Sequence, residues 1–360
     1  MKLSAGELYP YGAGRAAARV IDVRAPVEFE QGALAGSVNA PILTDEERHQ
    51  VGLMYKEKGQ RATIALGYRL TGATMPERVA RWQSLAGEAP SVIACWRGGL
   101  RSELACRFVG DPKLARLEGG YKAVRQHLLR ALPTAVAETP MLVIAGLTGS
   151  GKTALLRALA GALQPTPVNV TTLDLEAIAN HRGSAFGGWL GAQPSQATFE
   201  NTLAAALVLG AKTRLILEDE SRFIGARHLP VALFEAMQKS PVVMVEESLK
   251  DRVAAIFQEY VVKESERHGL EAAKRRLENG LTKLAKRLGG EELERLLGVL
   301  SLAEADNAWL SLSAHEPWIA SLLSRYYDPT YRHALETSGR PVVFRGNREE
   351  CYLWLVKQLG

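Results

Sequence analysis

The chain has 360 residues and a mass of 39.2 kDa, which is too long for one ordinary domain and suits two. Hydrophobic residues make up 47% and charged residues 23%, a composition that excludes a disordered, collagen-like or disulfide-stapled protein. The net charge of +5 is uneven, because residues 1–130 hold 19 Lys and Arg against 13 Asp and Glu, whereas residues 131–360 hold 25 against 26. A basic first half suits a polyanionic partner, and an ordinary solvated surface is the alternative.

Features of a membrane or secreted protein are missing from the sequence. No stretch of 18 or more residues is continuously apolar, and the first ten residues lack the apolar core of a signal peptide. The three cysteines, Cys95, Cys106 and Cys351, form no CxxC pair, which argues against a disulfide framework or a structural zinc site. We therefore expect a cytoplasmic protein with no membrane partner and no tightly bound cofactor.

Short apolar segments alternate with helical patterns in a first domain predicted at residues 1–132. Strands are predicted at Val20–Val23 and Ser91–Ala94, with a helical stretch at Pro76–Leu85 and another helix after Gly119-Gly120. This alternation is typical of an α/β domain with a mostly parallel sheet.

A second α/β domain is predicted at residues 141–360, after a linker at 133–140 in the Pro- and Thr-bearing passage LPTAVAETP. Its predicted strands are Met141–Ala145, Arg214–Leu217 and Val242–Val245. Its first predicted helix is Lys152–Leu163, which follows the first of these strands. A charge-laced helical part follows at about 249–300. Glycines at 269, 280 and 289–290 predict short antiparallel helices there rather than one rod.

The segment Cys95-Trp96-Arg97-Gly98-Gly99-Leu100-Arg101-Ser102 lies between a predicted buried strand and a helix. Backbone N–H groups of such a loop form an anion-binding nest, and the helix N-terminus adds positive potential. Together with the cations of Arg97 and Arg101, these groups favour a reactive thiolate at Cys95. The alternative is a buried inert cysteine, which is how we interpret Cys106 and Cys351.

Two flanking motifs resemble those of the rhodanese family. Ile21-Asp22-Val23-Arg24 followed by Gly32–Pro41 is similar to its first motif, and Leu117–Tyr121 to its closing motif. The resemblance implies transfer of sulfur or selenium through a cysteine-bound persulfide or perselenide. Cys95 to Arg101 counts seven residues, as in rhodanese-fold phosphatases and arsenate reductases, whereas common sulfurtransferases have six. The longer loop admits a tetrahedral oxyanion, so a phosphate-like donor is favoured over thiosulfate.

Residues Gly146–Thr153, GLTGSGKT, match GxxxxGK[ST] between a predicted strand and a helix, and we call them the phosphate loop. Its glycines, Gly146, Gly149 and Gly151, let backbone N–H groups approach phosphate oxygens. Lys152 supplies a charge and Thr153 a Mg²⁺ ligand. The bound group is a nucleotide or a pyrophosphate ester.

Glu218, Asp219 and Glu220 follow a predicted strand as an acidic run. Asp219 is the candidate that would hold Mg²⁺ together with Thr153, and Glu218 and Glu220 compete for that role. A merely solvated acidic turn is the alternative.

An unusually polar run extends from Asp174 to Glu200. Asp174, His181, Arg182 and Ser184 are candidate lining residues of a substrate cleft. A glycine-rich surface loop is the equally weighted alternative.

In order along the chain, CWRGGLRS, LDLEAIANHRGSAFG, QPSQATFE and LEDESRFIG resemble the tRNA 2-selenouridine synthase family over nearly the whole length. The resemblance implies that selenium replaces sulfur in 2-thiouridine at the tRNA anticodon wobble position, with selenophosphate as donor. It also implies that geranyl diphosphate first alkylates the thiocarbonyl. The phosphate loop would then hold the geranyl diphosphate, and Cys95 would carry selenium.

Three other function classes stay open on the sequence alone. A phosphate-loop kinase or ATPase with a regulatory rhodanese module would turn over ATP without tRNA. A phosphatase on the rhodanese fold would cleave phosphoesters with the first half alone. A non-catalytic tRNA-binding protein would leave two reactive loops idle. The basic first half and the helices at 250–295 are expected to meet the tRNA backbone, although near-balancing acids make a solvated face an equal alternative for the helices.

Overall fold

The computed structural model describes residues 1–162, 170–188, 191–305 and 307–359. Of the helices in these ranges, none is both long and apolar enough to cross a membrane. The strands are β1 (Lys2–Leu3), β2 (Arg19–Asp22), β3 (Val38–Asn39), β4 (Ser91–Ala94), β5 (Ala115–Leu117), β6 (Met141–Gly146), β7 (Val170–Leu173), β8 (Arg214–Glu218), β9 (Phe223–Ile224), β10 (Arg227–His228), β11 (Val242–Val245) and β12 (Val342–Gly346). The helices are α1 (Ala5–Leu8), α2 (Pro26–Glu30), α3 (Asp45–Thr71), α4 (Met75–Glu88), α5 (Leu100–Val109), α6 (Gly120–Glu138), α7 (Lys152–Ala162), α8 (Leu175–Ala179), α9 (Gln196–Leu209), α10 (Val231–Met237), α11 (Leu249–Phe257), α12 (Lys263–His268), α13 (Leu270–Lys283), α14 (Ala285–Leu288), α15 (Gly290–Ala305), α16 (Leu312–Leu322), α17 (Asp328–Ser338) and α18 (Arg348–Leu359). The last residue of the predicted helix Lys152–Leu163 lies outside the described residues.

The chain forms two compact units. Unit 1 comprises Met1–Thr139 and Pro194–Lys212, and unit 2 comprises Pro140–Gln193 and Thr213–Gly360. The α/β class predicted for both halves is confirmed, since each unit is built on a five-stranded parallel sheet.

The sheet of unit 1 has the order β1-β5-β4-β2-β3, and all of its strand pairs are parallel. The inner residues of β2 and β4, Val20 and Ile21 and Val92 and Ile93, are apolar and buried, as expected for parallel strands that are covered on both faces. Asp22 pairs in register with Ala94 at their carboxyl ends. The residue after each strand end therefore emerges at the same edge of the sheet, and Cys95 is one of these residues.

The predicted linker at 133–140 differs from the structure, because α6 continues through Pro133 to Glu138. Pro133 removes one helical N–H, but the helix buries Leu132, Ala135 and Val136 on one face, which outweighs the lost hydrogen bond.

The predicted domain limits at 132 and 141 also differ from the structure in a second way, because the later segment Pro194–Lys212 belongs to unit 1. Helix α9 packs against α6 in unit 1, although the sequence places it well inside the second half. Buried Asn201 donates hydrogen bonds to the Ala33 carbonyl and to the Tyr121 hydroxyl, which ties the helix to the first domain.

The sheet of unit 2 has the order β12-β11-β6-β8-β7, again with parallel pairs throughout. Strand β6 lies in the middle, and all six of its residues are buried. The phosphate loop follows the carboxyl end of β6, between the ends of β11 and β8. In open parallel sheets this edge is where ligands bind.

The helical part of unit 2 surrounds its own core of Leu277, Leu281, Leu300 and Trp318 with their neighbours. The helices are short, as predicted, but they continue beyond residue 300 to Ser338. Gly269 and Gly289 have positive φ of 82° and 83° and separate helices. Gly280 was expected to do the same and does not. It lies within α13, where the Phe186 ring occupies the space that a Cβ would need.

Candidate active sites

The cysteine loop of unit 1 is fixed by its backbone. The Cys95 carbonyl accepts a 2.9 Å hydrogen bond from the Tyr121 N–H, and the Trp96 carbonyl accepts one from the Lys122 N–H. Gly98 has φ of 64°, and a Cβ there would lie 2.6 Å from the Leu117 carbonyl oxygen. Only glycine fits this close approach. The loop therefore interlocks with the 117–121 turn.

Beneath this loop the Cys95 thiol is 3% exposed. Its sulfur lies 3.3 Å from the Ser102 hydroxyl oxygen and 3.9 Å from the Gly99 carbonyl oxygen. Ser102 is completely buried and donates to the Gly99 carbonyl at 2.9 Å. A hydroxyl in this position accepts from a thiol and, after rotation, donates to a thiolate. Ser102 is thus a site residue that the sequence analysis quoted but did not single out.

The other two cysteines differ from Cys95 in their surroundings. Burial raises the pKa of Cys106, and burial together with the charge of Glu350 raises the pKa of Cys351 to about 11. A thiol with a raised pKa is a poor nucleophile at neutral pH. These environments agree with the interpretation of both as inert core residues.

The two loop arginines have different positions. Arg97 is exposed to solvent. Arg101 forms a bidentate pair with Glu28, at 2.5 and 3.2 Å. Burial opposes the charge on Arg101, but the Glu28 carboxylate and, more weakly, Cys95 raise its pKa. Arg101 therefore remains a cation close to Cys95, with part of its charge balanced by Glu28.

Arg24 is a second buried cation beside the loop. It is fully buried, binds Asp22 at 2.7 Å and donates to the Gly32 carbonyl at 2.7 Å. Its guanidinium lies 4.0 Å from the centre of the Tyr121 ring, which stacks on Trp96 at 5.3 Å. Arg24 therefore packs against Trp96 of the cysteine loop and Tyr121 of the 117–121 turn. In the sequence, Arg24 was marked by the Asp22-Val23-Arg24 motif.

The phosphate loop of unit 2 has the backbone that its glycines permit. Gly149 and Gly151 have φ of 84° and 82°, which L residues with a Cβ rarely adopt. The Lys152 ammonium donates to the Gly146 carbonyl at 2.8 Å and lies 5.3 Å from the centre of the Tyr331 ring. The lysine therefore folds across the loop, over the place where phosphate oxygens bind in such loops.

Thr153 donates a 2.6 Å hydrogen bond to one oxygen of Glu218, and Glu176 lies 3.4 Å away. The other Glu218 oxygen, Oε1, is buried without a partner. Asp219, the acid favoured from the sequence, forms instead a buried ion pair with Arg340 at 2.8 Å and accepts from the Tyr331 hydroxyl at 2.9 Å. The geometry thus places Glu218 beside Thr153.

A Mg²⁺ ion fits the Thr153 and Glu218 pair, because the orphaned Glu218 oxygen would gain a partner. No group of three or more His, Cys, Asp or Glu residues in the described part of the chain is arranged to hold a metal by itself. This agrees with the preference of Mg²⁺ for one or two protein oxygens supplemented by phosphate and water.

Burial raises the pKa of three carboxylates around the loop. Burial, and then the charge of Glu218, raises the pKa of Glu176 to about 7. Burial, and then the charge of Glu176, raises the pKa of Glu220 to about 8. Burial also raises the pKa of Glu218. Such carboxylates exchange protons near neutral pH, as general bases do.

The polar run lies against these acids. A Cβ on Gly183 would be 2.7 Å from Glu220 Oε2 and 3.3 Å from Glu176 Oε1. His181 Nδ1 and Arg182 Nη1 are buried without partners, and burial, with the charge of Lys283, lowers the pKa of His181. Two predicted cleft residues therefore keep buried nitrogens that no hydrogen bond satisfies.

The other two predicted cleft residues have structural contacts. Asp174 caps α8 by accepting from the Ala177 N–H and pairs with Arg157 at 2.8 Å. The Ser184 hydroxyl accepts from the Phe186 N–H and lies 3.5 Å from the Tyr260 hydroxyl. A capping carboxylate is already satisfied, so Asp174 is the weaker candidate for substrate contact.

The helices expected to meet tRNA hold several of their bases in ion pairs. Lys263 pairs with Glu259 at 2.8 Å, and Arg295 with Glu292 at 2.7 Å. Lys274 also pairs with Glu304. Bases balanced in this way attract a polyanion less, so the solvated-face interpretation gains weight for these helices.

The comparisons with known proteins agree with both units. A profile described as a rhodanese-like domain matches residues 10–127, and one described as the tRNA 2-selenouridine synthase AAA domain matches residues 139–359. The protein is therefore a fusion of a rhodanese-like domain with an AAA-type phosphate-loop domain.

Curated relatives align over nearly the whole chain. Proteins named tRNA 2-selenouridine synthase from Cupriavidus pinatubonensis and Bordetella bronchiseptica are each 41% identical, over 93% and 94% of this chain and 94% of their own. One from a Shewanella species is 39% identical over 93% of this chain and 94% of its own. The chain belongs to the tRNA 2-selenouridine synthase family. A solved N-terminal domain of an ATP/GTP binding protein from Clostridium difficile 630 covers 36% of this chain and 99% of its own at 26% identity, and its TM-score of 0.33 is too low to support an argument.

Proposed function

We propose that this chain replaces sulfur by selenium in the wobble 2-thiouridine of tRNA, through an S-geranyl intermediate. The observation that carries the proposal is the presence in one chain of a buried thiol loop and a phosphate loop with adjoining carboxylates. The relatives that share both, at about 40% identity, bear the name tRNA 2-selenouridine synthase. Because the proposed substrate is tRNA, we propose that the reaction takes place in the cytoplasm.

The first step is alkylation of the base by geranyl diphosphate. The thiocarbonyl sulfur attacks C1 of the geranyl group, the bond from C1 to the diphosphate oxygen breaks, and the N3 proton of the base leaves. Lys152 and the loop N–H groups bind the diphosphate and stabilise the charge on the departing oxygen. Thr153 and Glu218 would hold Mg²⁺, which neutralises diphosphate charge when bound.

The N3 proton needs a base near the phosphate loop. Glu220 and Glu176 supply carboxylates whose pKa values, about 8 and about 7, lie close to neutral pH. A base of that strength removes an amide-like proton more effectively than an ordinary carboxylate does. We assign this role to Glu220, which has the higher pKa.

The second step delivers selenium through unit 1. Selenium in selenophosphate is already at the selenide level, so its transfer needs no change of oxidation state. The Cys95 thiolate attacks phosphorus of selenophosphate, an S–P bond forms, the Se–P bond breaks, and selenide leaves as HSe⁻. The selenide attacks C2 of the base and expels the geranyl thiolate, and the selenide proton passes to N3. Water then cleaves the S–P bond, which releases phosphate and restores the Cys95 thiolate. Ser102 and Arg101 stabilise the thiolate before attack.

The decisive experiment is mass spectrometry of nucleosides from tRNA incubated with the protein, geranyl diphosphate and selenophosphate, with a thiol present. Omission of selenophosphate is expected to leave S-geranyl-2-thiouridine, and the complete mixture to give 2-selenouridine. Hydrolysis of ATP without change in the tRNA would instead support a kinase or ATPase with a regulatory rhodanese module.

A further inference from the structure

A cavity of about 500 Å³ lies in unit 2 beside the phosphate loop. It lies between strand β11, edge strand β12 and helix α17, and Leu147 of the phosphate loop lines it. The residues around it are Leu147, Val242, Met244, Val245, Glu246, Glu247, Arg332, Leu335, Ser338, Arg340, Val342 and Arg345.

Half of this lining is aliphatic, and none of it is aromatic. Val242 and Met244 are buried strand residues, whereas Val342 is 44% exposed on the edge strand. Arg332, Arg345 and Glu246 are exposed at the rim, where Arg345 pairs with Glu246 at 2.5 Å, whereas the buried charge of Arg340 is balanced by Asp219. An aliphatic bed with a charged rim suits a hydrocarbon chain, and a purine would find no ring to stack on.

The wall formed by α17 is tied to the phosphate loop. The Tyr331 hydroxyl accepts from the Gly146 N–H at 3.4 Å and donates to Asp219 at 2.9 Å. Arg340, just beyond the helix, binds the same carboxylate. Asp219 therefore holds both ends of the wall in place.

The dimensions fit a prenyl chain of ten carbons. Strand β11 extends from Val242 to Val245, about 10 Å at about 3.3 Å per residue. Val245 pairs in register with Gly146, the first residue of the phosphate loop. Ten carbons that each take about the 30 Å³ of a liquid water fill about 300 Å³, which the cavity can hold.

We propose that this cavity binds the hydrocarbon chain of a prenyl diphosphate, with the diphosphate on the phosphate loop at the Leu147 end. The proposal rests on the proposed function, in which geranyl diphosphate is the donor. The chain would place the reacting C1 at the loop and leave the exposed side of the loop for the base. Binding energy from this remote part of the donor positions the reacting carbon.

Calorimetric binding to the full chain tests the proposal with four probes: geranyl diphosphate, dimethylallyl diphosphate, inorganic diphosphate and ATP. Each buried methylene contributes about a four-fold gain in affinity. The wild type should therefore bind geranyl diphosphate at least about 100-fold more tightly than inorganic diphosphate.

Two variants fill part of the cavity with a larger side chain. Leu335→Trp does so from α17, and Val342→Trp does so from edge strand β12. Val342 is 44% exposed, so a large side chain at this position disturbs the fold least. Leu302→Trp is the matched control, because Leu302 is 63% exposed on α15 and is not part of the lining. We expect both cavity variants to bind geranyl diphosphate at least about 10-fold more weakly and inorganic diphosphate normally. The five-carbon dimethylallyl diphosphate should be affected less. Thermal unfolding checks that each variant is folded.

Wild-type affinity for geranyl diphosphate in both cavity variants would overturn the proposal. Loss of ATP affinity in both, with geranyl diphosphate affinity intact, would also overturn it and assign the cavity to a nucleoside. Failure of the wild type to transfer geranyl to tRNA would contradict the proposed function, and the binding series would still decide what the cavity holds.

Discussion

Thr153 donates a 2.6 Å hydrogen bond to Glu218. The sequence favoured Asp219 as the Mg²⁺ ligand, but the carboxylate at the phosphate loop belongs to the residue before it, Glu218. Glu218 is the last residue of β8, whereas Asp219 donates its N–H to the Ile144 carbonyl and turns its carboxylate to Arg340. Successive residues of an extended chain point to opposite sides. A shift of one residue therefore exchanges a candidate Mg²⁺ ligand for a structural ion pair.

Glu218→Gln and Asp219→Asn should separate these roles. Loss of the Glu218 charge should slow geranyl transfer about 100-fold or more, because the diphosphate charge is then poorly neutralised. Asp219→Asn should mainly lower the free energy of unfolding, by about 3 kcal/mol, because Arg340 is left as an unpaired buried charge. Urea unfolding and single-turnover geranyl transfer measure the two effects. The reverse pattern would restore Asp219 as the Mg²⁺ ligand.

Cys95→Ser should abolish selenium incorporation and leave geranyl transfer intact, because the serine hydroxyl is a far weaker nucleophile toward selenophosphate than the thiolate is. Ser102→Ala should slow selenium incorporation about 10-fold, the cost of one hydrogen bond to a charged group. Cys106→Ser is the control and should retain activity. Nucleoside mass spectrometry after each step distinguishes the two reactions. Full selenation by Cys95→Ser would refute its role as the nucleophile.

Five of the twelve strands in the described residues were predicted from the sequence, because each contains a short apolar run. Strands β1, β3, β9 and β10 have only two residues each, which is too short for such a run to stand out. Ser91–Ala94 and Val242–Val245 were predicted with the observed limits, and the other predicted strands differ by a residue at one end or both. The phosphate loop was predictable as well, since its glycine spacing is tied to backbone geometry.

Long-range contacts were not predictable from local pattern. Residues 133–138 resemble a linker because of Pro133, yet they are helical, since Leu132 and Val136 find a buried surface that the sequence does not reveal. Asn201 looks like an ordinary helix residue, yet it is buried in unit 1 by its bonds to Ala33 and Tyr121. The position of Glu218 rather than Asp219 at Thr153 likewise depends on the exact register of β8.

Geranyl transfer should depend on pH through the carboxylates at the phosphate loop. A general base acts only when deprotonated, so the rate should rise from pH 6 and level off above about 8, the pKa of Glu220. Glu220→Gln should lower the rate about 100-fold or more and remove this rise. Single-turnover rates from pH 6 to 9 provide the test, with tRNA binding measured at each pH. An unchanged profile in Glu220→Gln would exclude it as the base.

The same raised pKa values affect stability with a defined sign. Glu176 and Glu220 prefer the neutral form in the folded protein, with pKa values of about 7 and about 8 against an ordinary 4.5. The unfolded chain therefore releases these protons first, and the ligand-free protein should lose stability as the pH rises from 4.5 to about 8. Urea unfolding at several pH values should show this loss, and it should be smaller in Glu220→Gln. A stability that rises over this range in both proteins would contradict the assignment.

His181 and Arg182 should matter for chemistry more than for tRNA affinity. Each has a buried nitrogen without a partner, His181 Nδ1 and Arg182 Nη1, and the next residue, Gly183, lies against the carboxylates of Glu220 and Glu176. Such nitrogens are costly unless a ligand satisfies them, and the base or the diphosphate offers acceptors. Because phosphate contacts dominate tRNA affinity, binding at fixed salt should change little in His181→Ala and Arg182→Ala.

Single-turnover geranyl transfer should fall at least about 10-fold in both variants, as expected for the loss of a hydrogen bond to a charged group. Arg182 also pairs with Glu259 at 2.6 Å, so Arg182→Lys is needed to separate charge from packing. Arg157→Ala is the control, because Arg157 is exposed and binds Asp174, which caps a helix. If His181→Ala and Arg182→Ala both turn over at the wild-type rate, residues 180–187 form only a surface loop, and the substrate must be positioned by the phosphate loop and its carboxylates alone.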